Sequence, residues 1–382
     1  EAVPPPYAAL SVMPCPTVVA EPLAHAADGA QSVPVVPPER QAAQAARFLE
    51  SLDPPLRAAV LKAQALFDSL GAQPDPCTVV YLARLCVSNQ LDEEKIATQM
   101  RRTVAWRTER NLSPVRAAFL SGGPLLIHPS VIKLLMQGPY FPVFGTNAKG
   151  DIIQFYAVPI NLKRFLAEMT DDEWFDSNVL LLEYLYALAD RASLARADGS
   201  LSRILVAMDL SPVSLSHSRL ANHRRIKELA PLADLYYPEF NVATVIFNVP
   251  SWAYSLWKVA KYLFSEKRRS RMHFFPAQRG SGGMPNEALA LIPKDALPAC
   301  FGGSRTQLAP VHMRTVGFHL LSPEVLLQLC PGSAECMGGF HLPPGYPREV
   351  ASTAEVASTD QVASTARSHL PPHFWPRHPR GR

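Results

Sequence analysis

The chain has 382 residues, of which 48% are hydrophobic and 18% charged, and its formal net charge is +4. That is enough to bury a sizeable core, either in two average domains or in one large α/β domain with appendages. Its unusual feature is proline: 37 residues, about twice the average usage. Seventeen of these lie in the first 38 and the last 52 residues. We therefore expect disordered tails around a globular interior.

Composition also bears on several function classes. No apolar run reaches about 18 residues, so the chain is not expected to span a membrane. A charge of +4 is too mild to indicate a nucleic-acid partner. The six cysteines form no CxxC pairs, which favours reduced, mostly buried thiols. No common zinc spacing is present in the C-terminal set, so no metal is expected; the set is His312, His319, Cys330, Cys336 and His341.

The first predicted elements are helices, in a small module over residues 40–120 that follows the tail at 1–39. Asp53-Pro54-Pro55 is typical of a helix start, and the apolar period after it ends at Gly71. A second helix is predicted over about 76–88. Asp92 is placed to cap a third.

From about residue 140, short apolar runs alternate with helical stretches. The strands are predicted at 152–158, 204–210, 244–249 and 272–275, and the helices at about 171–191, 213–229 and 252–264. Strands that are apolar on both faces and alternate with helices indicate an α/β fold, a mostly parallel sheet covered by helices. Residues 147–151 predict the turn into the first strand. After this domain, at 121–304, come a helical extension at 305–345 and a low-complexity tail at 346–382.

Motifs for covalent chemistry are absent from the sequence. The glycine-rich run at 279–283 lacks the spacing of a nucleotide-binding loop, and no G-x-S-x-G elbow presents a serine. Four acidic residues lie close together at the start of a predicted helix, as is typical of a charged helix start rather than of a catalytic pair. They are Asp171, Asp172, Glu173 and Asp176. We therefore expect a protein that is not an enzyme.

One segment is more specific. Tyr236-Tyr237-Pro238-Glu239 precedes an apolar strand ending at Asn248-Val249-Pro250, and an aromatic-rich helix and a basic run at 267–271 follow. With Met208-Asp209-Leu210, this arrangement resembles the CRAL-TRIO lipid-binding domain. Further matches in the same order extend the resemblance over residues 75–304: Tyr81-Leu82-Ala83-Arg84, Leu91-Asp92, Trp106-Arg107, Gly150-Asp151, Leu291-Ile292-Pro293, Leu297-Pro298 and Phe301-Gly302-Gly303.

The resemblance implies a sheet and helices that enclose a hydrophobic lipid pocket closed by a helical gate. Family members hold a single lipid and exchange it when docked on a membrane. It therefore implies a soluble, cytoplasmic, monomeric carrier that contacts anionic membranes transiently, with a phospholipid or other hydrophobic molecule as ligand and no further cofactor. Two acyl chains with about 30 methylenes represent about 24 kcal/mol of unfavourable exposure, so such a carrier must enclose them.

The resemblance also implies a headgroup site. Glu239 stands where the family has a glutamate needed for phosphatidylinositol, and Arg271 where it has a lysine that contacts the same headgroup. Arg268 replaces a threonine, and Asn89 replaces an arginine that holds the phosphate. From the residues alone, Glu239 could instead be a plain surface residue at a strand entry, and Arg271 could be part of a solvated basic run that contacts anionic lipid.

For the pocket, the resemblance implies Ile204, Val206, Met208 and Phe247. Ile204 and Val206 replace a serine and a threonine that bind phosphocholine, which disfavours phosphatidylcholine. Phosphatidylinositol and less polar ligands, such as a sterol, a tocopherol-like molecule or a retinoid, remain open. The gate is implied to be the helix at 252–264, whose apolar face carries Trp252, Leu256, Val259 and Leu263. The pattern alone fits an ordinary amphipathic helix on a sheet equally well.

Two other functions remain open. A lipid-sensing regulatory module would recruit protein partners through its proline-rich tails, for example at residues 4–6 and 343–347. An esterase would need a nucleophile beside a base.

Overall fold

The computed structural model describes residues 38–122, 130–131, 134, 140–147, 149–157, 167–210, 213, 232–260, 266–277, 284–292 and 294–297. Several predicted features lie outside this part of the chain. They are the tail before residue 38, the helix at 213–229 apart from residue 213, the glycine-rich run at 279–283, the match at Phe301-Gly302-Gly303, and the C-terminal segments at 305–345 and 346–382.

Five helices form the N-terminal module: α1 (Pro38–Ser51), α2 (Pro54–Ser69), α3 (Thr78–Ser88), α4 (Glu93–Glu109) and α5 (Leu112–Leu120). The Asp53 carboxylate caps α2 by accepting a 2.8 Å hydrogen bond from the Leu56 amide. Asp92 caps α4 in the same way, through the Lys95 amide at 3.1 Å. Both predicted helix starts are therefore confirmed.

The second half contains α6 (Asp171–Leu194), α7 (Leu232–Tyr236), α8 (Ser251–Ala260), α9 (Glu266–Ser270) and α10 (Asn286–Leu289), with a 3₁₀ turn at Lys294–Ala296. A capping box opens α6: the Thr170 hydroxyl accepts from the Glu173 amide, and the Glu173 carboxylate accepts from the Thr170 amide. The acidic group here serves a helix start, as expected.

The sheet has five strands in sequential order: β1 (Tyr140–Thr146), β2 (Ile152–Ala157), β3 (Ile204–Asp209), β4 (Asn241–Val249) and β5 (Met272–Pro276). Strands β2 to β5 are parallel, so the predicted mostly parallel sheet is confirmed. The edge strand β1 pairs antiparallel with β2 and was not predicted. Pro142 and Gly145 interrupt its apolar pattern, as is tolerated in an edge strand.

Strand pairing divides the sheet into two faces. The back face is buried along β2 to β4 and partly exposed on β5, at His273 and Phe275; its buried members include Ile153, Phe155, Leu205, Ala207, Val245 and Phe247. The front face is buried at the β2 side and partly exposed towards β5; its members include Gln154, Ile204, Val206, Met208, Thr244, Ile246, Met272 and Phe274. The front face is thus the less completely covered surface of the sheet.

One hydrophobic core runs through the N-terminal helices and the sheet, and includes Phe48 and Met100 together with Phe155 and Phe247. Helix α6 belongs to both parts, since its Tyr184 meets Phe119 of α5 edge to face, with ring centroids 5.3 Å apart. Within the described ranges, no helix is both long and apolar enough to cross a bilayer.

Two of the six cysteines, Cys77 and Cys86, lie in the described part of the chain, and both are free and buried. Burial raises the pKa of the Cys86 thiol to about 11 and that of Cys77 further still. These two cysteines are therefore protonated thiols at neutral pH, as expected.

Candidate functional site

Three charged residues precede adjacent parallel strands. Arg203 comes just before β3, Arg271 just before β5, and Glu239 two residues before β4. Because parallel strands begin at the same edge of a sheet, the three side chains meet there. Arg271 Nη2 lies 3.1 and 3.2 Å from the two carboxylate oxygens of Glu239, and Arg203 Nε lies 3.5 Å from Oε2. We call Arg203, Glu239 and Arg271 the edge cluster.

Glu239 is the buried member of the edge cluster. Its side chain is 4% exposed, whereas those of Arg271 and Arg203 are 27% and 30% exposed. A buried carboxylate costs several kcal/mol unless it is paired, and the two guanidinium groups supply that pairing. Glu239 is therefore not a plain surface residue, and Arg271 is more than a solvated member of the basic run.

The backbone of Glu239 is in a left-handed conformation, with φ at +51°. For a residue other than glycine this costs on the order of 1–2 kcal/mol, and the surrounding contacts must sustain it. The Glu239 carbonyl accepts a 3.1 Å hydrogen bond from Arg84 Nη1, and the Ser202 carbonyl accepts one of 2.6 Å from Arg84 Nη2. Arg84 thus ties together the segments that lead into β3 and β4.

Arg84 is itself completely buried and belongs to a network of charges. Its Nε lies 2.7 Å from Asp190 Oδ1, and the other oxygen of Asp190 accepts a 2.7 Å bond from Arg116. Arg116 also binds Asp75 at 2.6 Å. Burial raises the pKa of the Asp75 carboxyl, but Arg116, the Cys77 amide and Arg107 together lower it by more, so the net pKa lies below its usual value. The residues Arg84, Asp190, Arg116 and Asp75 are called the buried network below.

Another buried carboxylate, Glu183 of α6, lies beside the motif that precedes β4. Arg107 binds both of its oxygens, at 2.6 and 3.0 Å, and the Tyr237 hydroxyl donates to it at 2.8 Å. Burial raises the pKa of Tyr237 well above its usual value, and the charge of Glu183 raises it further. Tyr237 therefore remains a hydrogen-bond donor.

The other residues of the Tyr-Tyr-Pro-Glu motif, Tyr236 and Pro238, also contact neighbouring helices. Tyr236 stacks on Trp106 of α4, with ring centroids 4.2 Å apart and planes inclined by 10°. The Pro238 carbonyl accepts a 3.0 Å hydrogen bond from the Tyr186 hydroxyl. Each residue of the motif thus contacts another element, which fixes the position of Glu239 at the sheet edge.

Asn89 does not join the edge cluster within the part of the chain that the structure describes. It ends α3, where its side-chain amide donates to the Leu85 carbonyl at 2.9 Å and to Gln99 Oε1 at 2.7 Å. Gln99 in turn donates to the carbonyls of Asp234 and Leu235 in α7. Asn89 therefore positions helices. The side chain of Arg268 lies outside the described residues.

Helix α8 covers part of the front face. Trp257 stacks on Phe274 of β5, with ring centroids 4.0 Å apart and planes inclined by 20°. Trp252 is partly exposed, and Lys258 is exposed, with its ammonium 5.1 Å from the centre of the Tyr254 ring. The side chains of Leu256 and Val259, and all of Leu263, lie outside the described residues.

The four residues implied for the pocket do not share one surface. Ile204, Val206 and Met208 lie on the front face of β3. Phe247 pairs with Asp209, and so points to the back face, where its ring meets Phe155 at 5.9 Å. Side chains alternate along a strand, so placement on a face depends on register, which the sequence does not show.

Sequence patterns did not indicate several functional candidates, namely Arg203, Glu183, Asp190 and Arg116, nor the contact of Trp257 with the front face. One spacing in the sequence could have indicated two of these residues. Glu183 and Asp190 are seven residues apart in the stretch 179–190 of α6, which is otherwise apolar, and this spacing places both on one side of the helix. Two acids on an apolar helix face predict buried cationic partners. No group of three or more metal-ligating side chains occurs among the residues that are described.

Comparisons with known proteins bear on the second half of the chain. Residues 159–303 match the family model described as "CRAL/TRIO domain". A solved structure titled "Crystal structure of Sfh5" is similar at 16% identity and a TM-score of 0.43, covering 72% of this chain and 98% of that one. No curated protein matches the chain. The segment that is similar to the CRAL/TRIO domain contains the edge cluster, β3 to β5 and α8.

Proposed function

We propose that the protein is a lipid carrier that holds one lipid, with its headgroup at the edge cluster and its tails along the front face under α8, and exchanges it at membranes. The observation that carries this proposal is the buried Glu239 carboxylate, paired with two arginines at the edge where the apolar front face begins. Ile204, the first front-face residue of β3, directly follows Arg203.

The headgroup that suits the edge cluster combines hydroxyl groups with an anion. The Glu239 carboxylate accepts hydrogen bonds from hydroxyls, and a guanidinium group binds a phosphate through parallel N–H bonds. An inositol phospholipid offers both groups in one molecule. Phosphatidylcholine fits less well, because its headgroup has no hydroxyl donor for a buried carboxylate.

The tails need an apolar surface that can open. The front face supplies Val206, Met208 and Phe274, and all but Val206 are partly exposed. Each enclosed methylene contributes about 0.8 kcal/mol, so moving α8 aside in water would be strongly unfavourable while a lipid is bound. At a bilayer the tails have an apolar alternative, which makes exchange feasible there.

Membrane contact would be peripheral and favoured by anionic lipid. Helix α8 carries both the exposed Lys258 and the partly exposed Trp252, and a cation together with an aromatic ring on one helix suits the interface of an anionic bilayer. The proposed carrier acts as a monomer in the cytoplasm, needs no cofactor and makes or breaks no covalent bond.

The test uses the full chain. Native mass spectrometry and lipid extraction of the purified protein should show one lipid per chain, and vesicle assays should show faster transfer of labelled phosphatidylinositol than of phosphatidylcholine. A protein that retains lipid but does not move it between vesicles would instead be a sensor. Bound lipid without any phosphorus would refute the headgroup assignment.

Glu239→Ala adds a site-specific test. It should lower phosphatidylinositol uptake by about tenfold, since a hydrogen bond to a charged group contributes about 1.5–3 kcal/mol. The matched control is Glu93→Ala, which removes the same charge from a side chain that is 71% exposed. Equal uptake by the two variants would move the ligand assignment away from inositol lipids.

A further inference from the structure

We infer that Arg203 is a specificity-determining residue of the edge cluster, supplying the positive charge that selects a singly anionic lipid headgroup over a zwitterionic one. This inference rests on the proposed carrier function and names the class of headgroup that it takes.

The edge cluster carries a net positive charge. The edge cluster contains two guanidinium groups and one carboxylate, so its own formal charge is +1. A phosphodiester without a compensating cation brings a charge of −1 and balances the cluster. A zwitterionic headgroup brings a second positive charge as well, and at close range inside a protein this repulsion is only weakly screened.

The two arginines of the edge cluster differ in their hydrogen bonding. Arg271 is occupied: its Nη1 donates to the Asn241 carbonyl at 2.7 Å and its Nη2 to Glu239. Arg203 Nε is buried and has no hydrogen-bond partner, although it lies 3.5 Å from the Glu239 carboxylate. An unsatisfied buried donor costs about 1–3 kcal/mol, which an oxygen of the ligand would recover. Arg271 therefore binds Glu239, while Arg203 has a buried donor, Nε, that can bind an oxygen of the ligand.

Two hydrogen bonds hold the backbone of Arg203 in position. The amide of Arg203 donates to Asp151 Oδ1 at 3.0 Å, and its carbonyl accepts from the Ile152 amide at 2.8 Å. These bonds fix the backbone from which the side chain extends, so little conformational entropy is lost there on binding. With 30% of its surface exposed, the side chain is also accessible to a ligand and tolerant of substitution.

The decisive variant is Arg203→Gln, compared with Arg196→Gln. Arg196 follows α6 and is 26% exposed, so its substitution removes the same charge from a similarly exposed site outside the edge cluster. Each full-length protein is equilibrated with vesicles containing equal amounts of phosphatidylinositol and phosphatidylcholine. Native mass spectrometry then gives the ratio of the two bound lipids. An equilibrium ratio is insensitive to electrostatic effects on the rate of encounter.

We expect Arg203→Gln to lower the ratio of bound phosphatidylinositol to phosphatidylcholine by about tenfold, Arg203→Lys to restore part of it, and Arg196→Gln to leave it unchanged. Each variant should remain folded at the temperature of the lipid assay, which its thermal transition checks. An unchanged ratio in Arg203→Gln overturns the inference. If the unmodified protein binds no lipid, the carrier function itself fails, which is a different result.

A soluble anion provides the last arm. Inorganic phosphate, titrated into the lipid-free protein, tests whether the edge cluster recognises an anion without a lipid. Binding of phosphate that depends on Arg203, combined with no effect of Arg203→Gln on the lipid ratio, would overturn the inference in favour of a site for free anions.

Discussion

Arg84 and Asp190 form an ion pair in which both side chains are completely buried, with 2.7 Å between Nε and Oδ1. The pair joins α3 of the N-terminal module to α6. Through its other nitrogens, Arg84 also reaches the carbonyls that precede β3 and β4. The position of Glu239 therefore depends on a residue of the helical module that sequence order places 155 residues earlier.

Asp190→Asn should destabilise the protein by about 3–5 kcal/mol, because it leaves the buried guanidinium groups of Arg84 and Arg116 without their common counter-ion. Urea denaturation followed by circular dichroism measures the change. Glu93→Gln is the control; it breaks the exposed pair with Lys62, which has a similar length of 2.6 Å, and should leave the midpoint nearly unchanged. Equal midpoints for the two variants would contradict a structural role for the buried network.

Gly199→Ala should destabilise the protein more than Gly71→Ala. Both glycines have positive φ, +68° and +65°, so an alanine costs roughly 1–2 kcal/mol at either position. Only at Gly199 would the new Cβ also collide, at 2.7 Å from Ser51 Oγ and 3.0 Å from the Ser51 carbonyl oxygen, whereas nothing lies within 4 Å at Gly71. Chemical denaturation gives the free energy of unfolding of both variants, and the difference between their losses is the cost of the collision. Equal losses would mean that Ser51 of α1 does not contact the turn at Gly199 closely.

The stability contributed by Asp176 should fall as the pH rises from about 4 to about 6. Burial raises the pKa of its carboxyl to about 6, although Arg110, 3.6 Å away, lowers it and Asp172 raises it slightly. The folded protein thus binds this proton more tightly than the unfolded chain does, so protonation stabilises the fold. Carbon-detected NMR of the carboxyl follows the titration directly.

Asp176→Asn removes that dependence. The difference in unfolding free energy between the unmodified protein and the variant should shift in favour of the variant across this pH range. A difference that is constant between pH 4 and pH 6 would show that Asp176 titrates alike in the folded and unfolded states.

Trp252→Asp should weaken binding to anionic vesicles without unfolding the sheet, because it replaces an interfacial aromatic ring on α8 with a charge. Ser255→Asp is the charge-matched control on the exposed side of the same helix. Vesicle co-sedimentation gives the affinities. If both variants lose the same affinity, the effect is one of charge alone, and α8 does not dock through Trp252.

Local signals predicted most elements of this fold. Asp53 and Asp92 each cap a helix as their spacing indicated, and the apolar runs that form β2 to β5 have the length and composition of buried strands. Helix α5 and strand β1 were missed for a physical reason. Asn111, before α5, makes no side-chain capping bond, and β1 carries a proline, so tertiary packing rather than local sequence establishes both.

The candidate site was only partly predictable. Glu239 and Arg271 followed from a motif resemblance, and the structure brings them together. Arg203 could not be assigned, because its contact with Glu239 depends on which strands are neighbours. The same dependence separates Phe247 from the other three residues implied for the pocket, because the pairing of β4 with β3 sets the face on which it lies.

The buried charges have a consequence for how this chain can be divided. The segment that matches the family, 159–303, contains Glu183 and Asp190 but not Arg84, Arg107 or Arg116, which neutralise them. Cut out alone, that segment would hold two carboxylates in an apolar helix with no cation from the N-terminal module. The unit of sequence similarity is therefore smaller than the unit within which these buried charges are paired, and the helices before residue 159 supply the cations that the matched segment lacks.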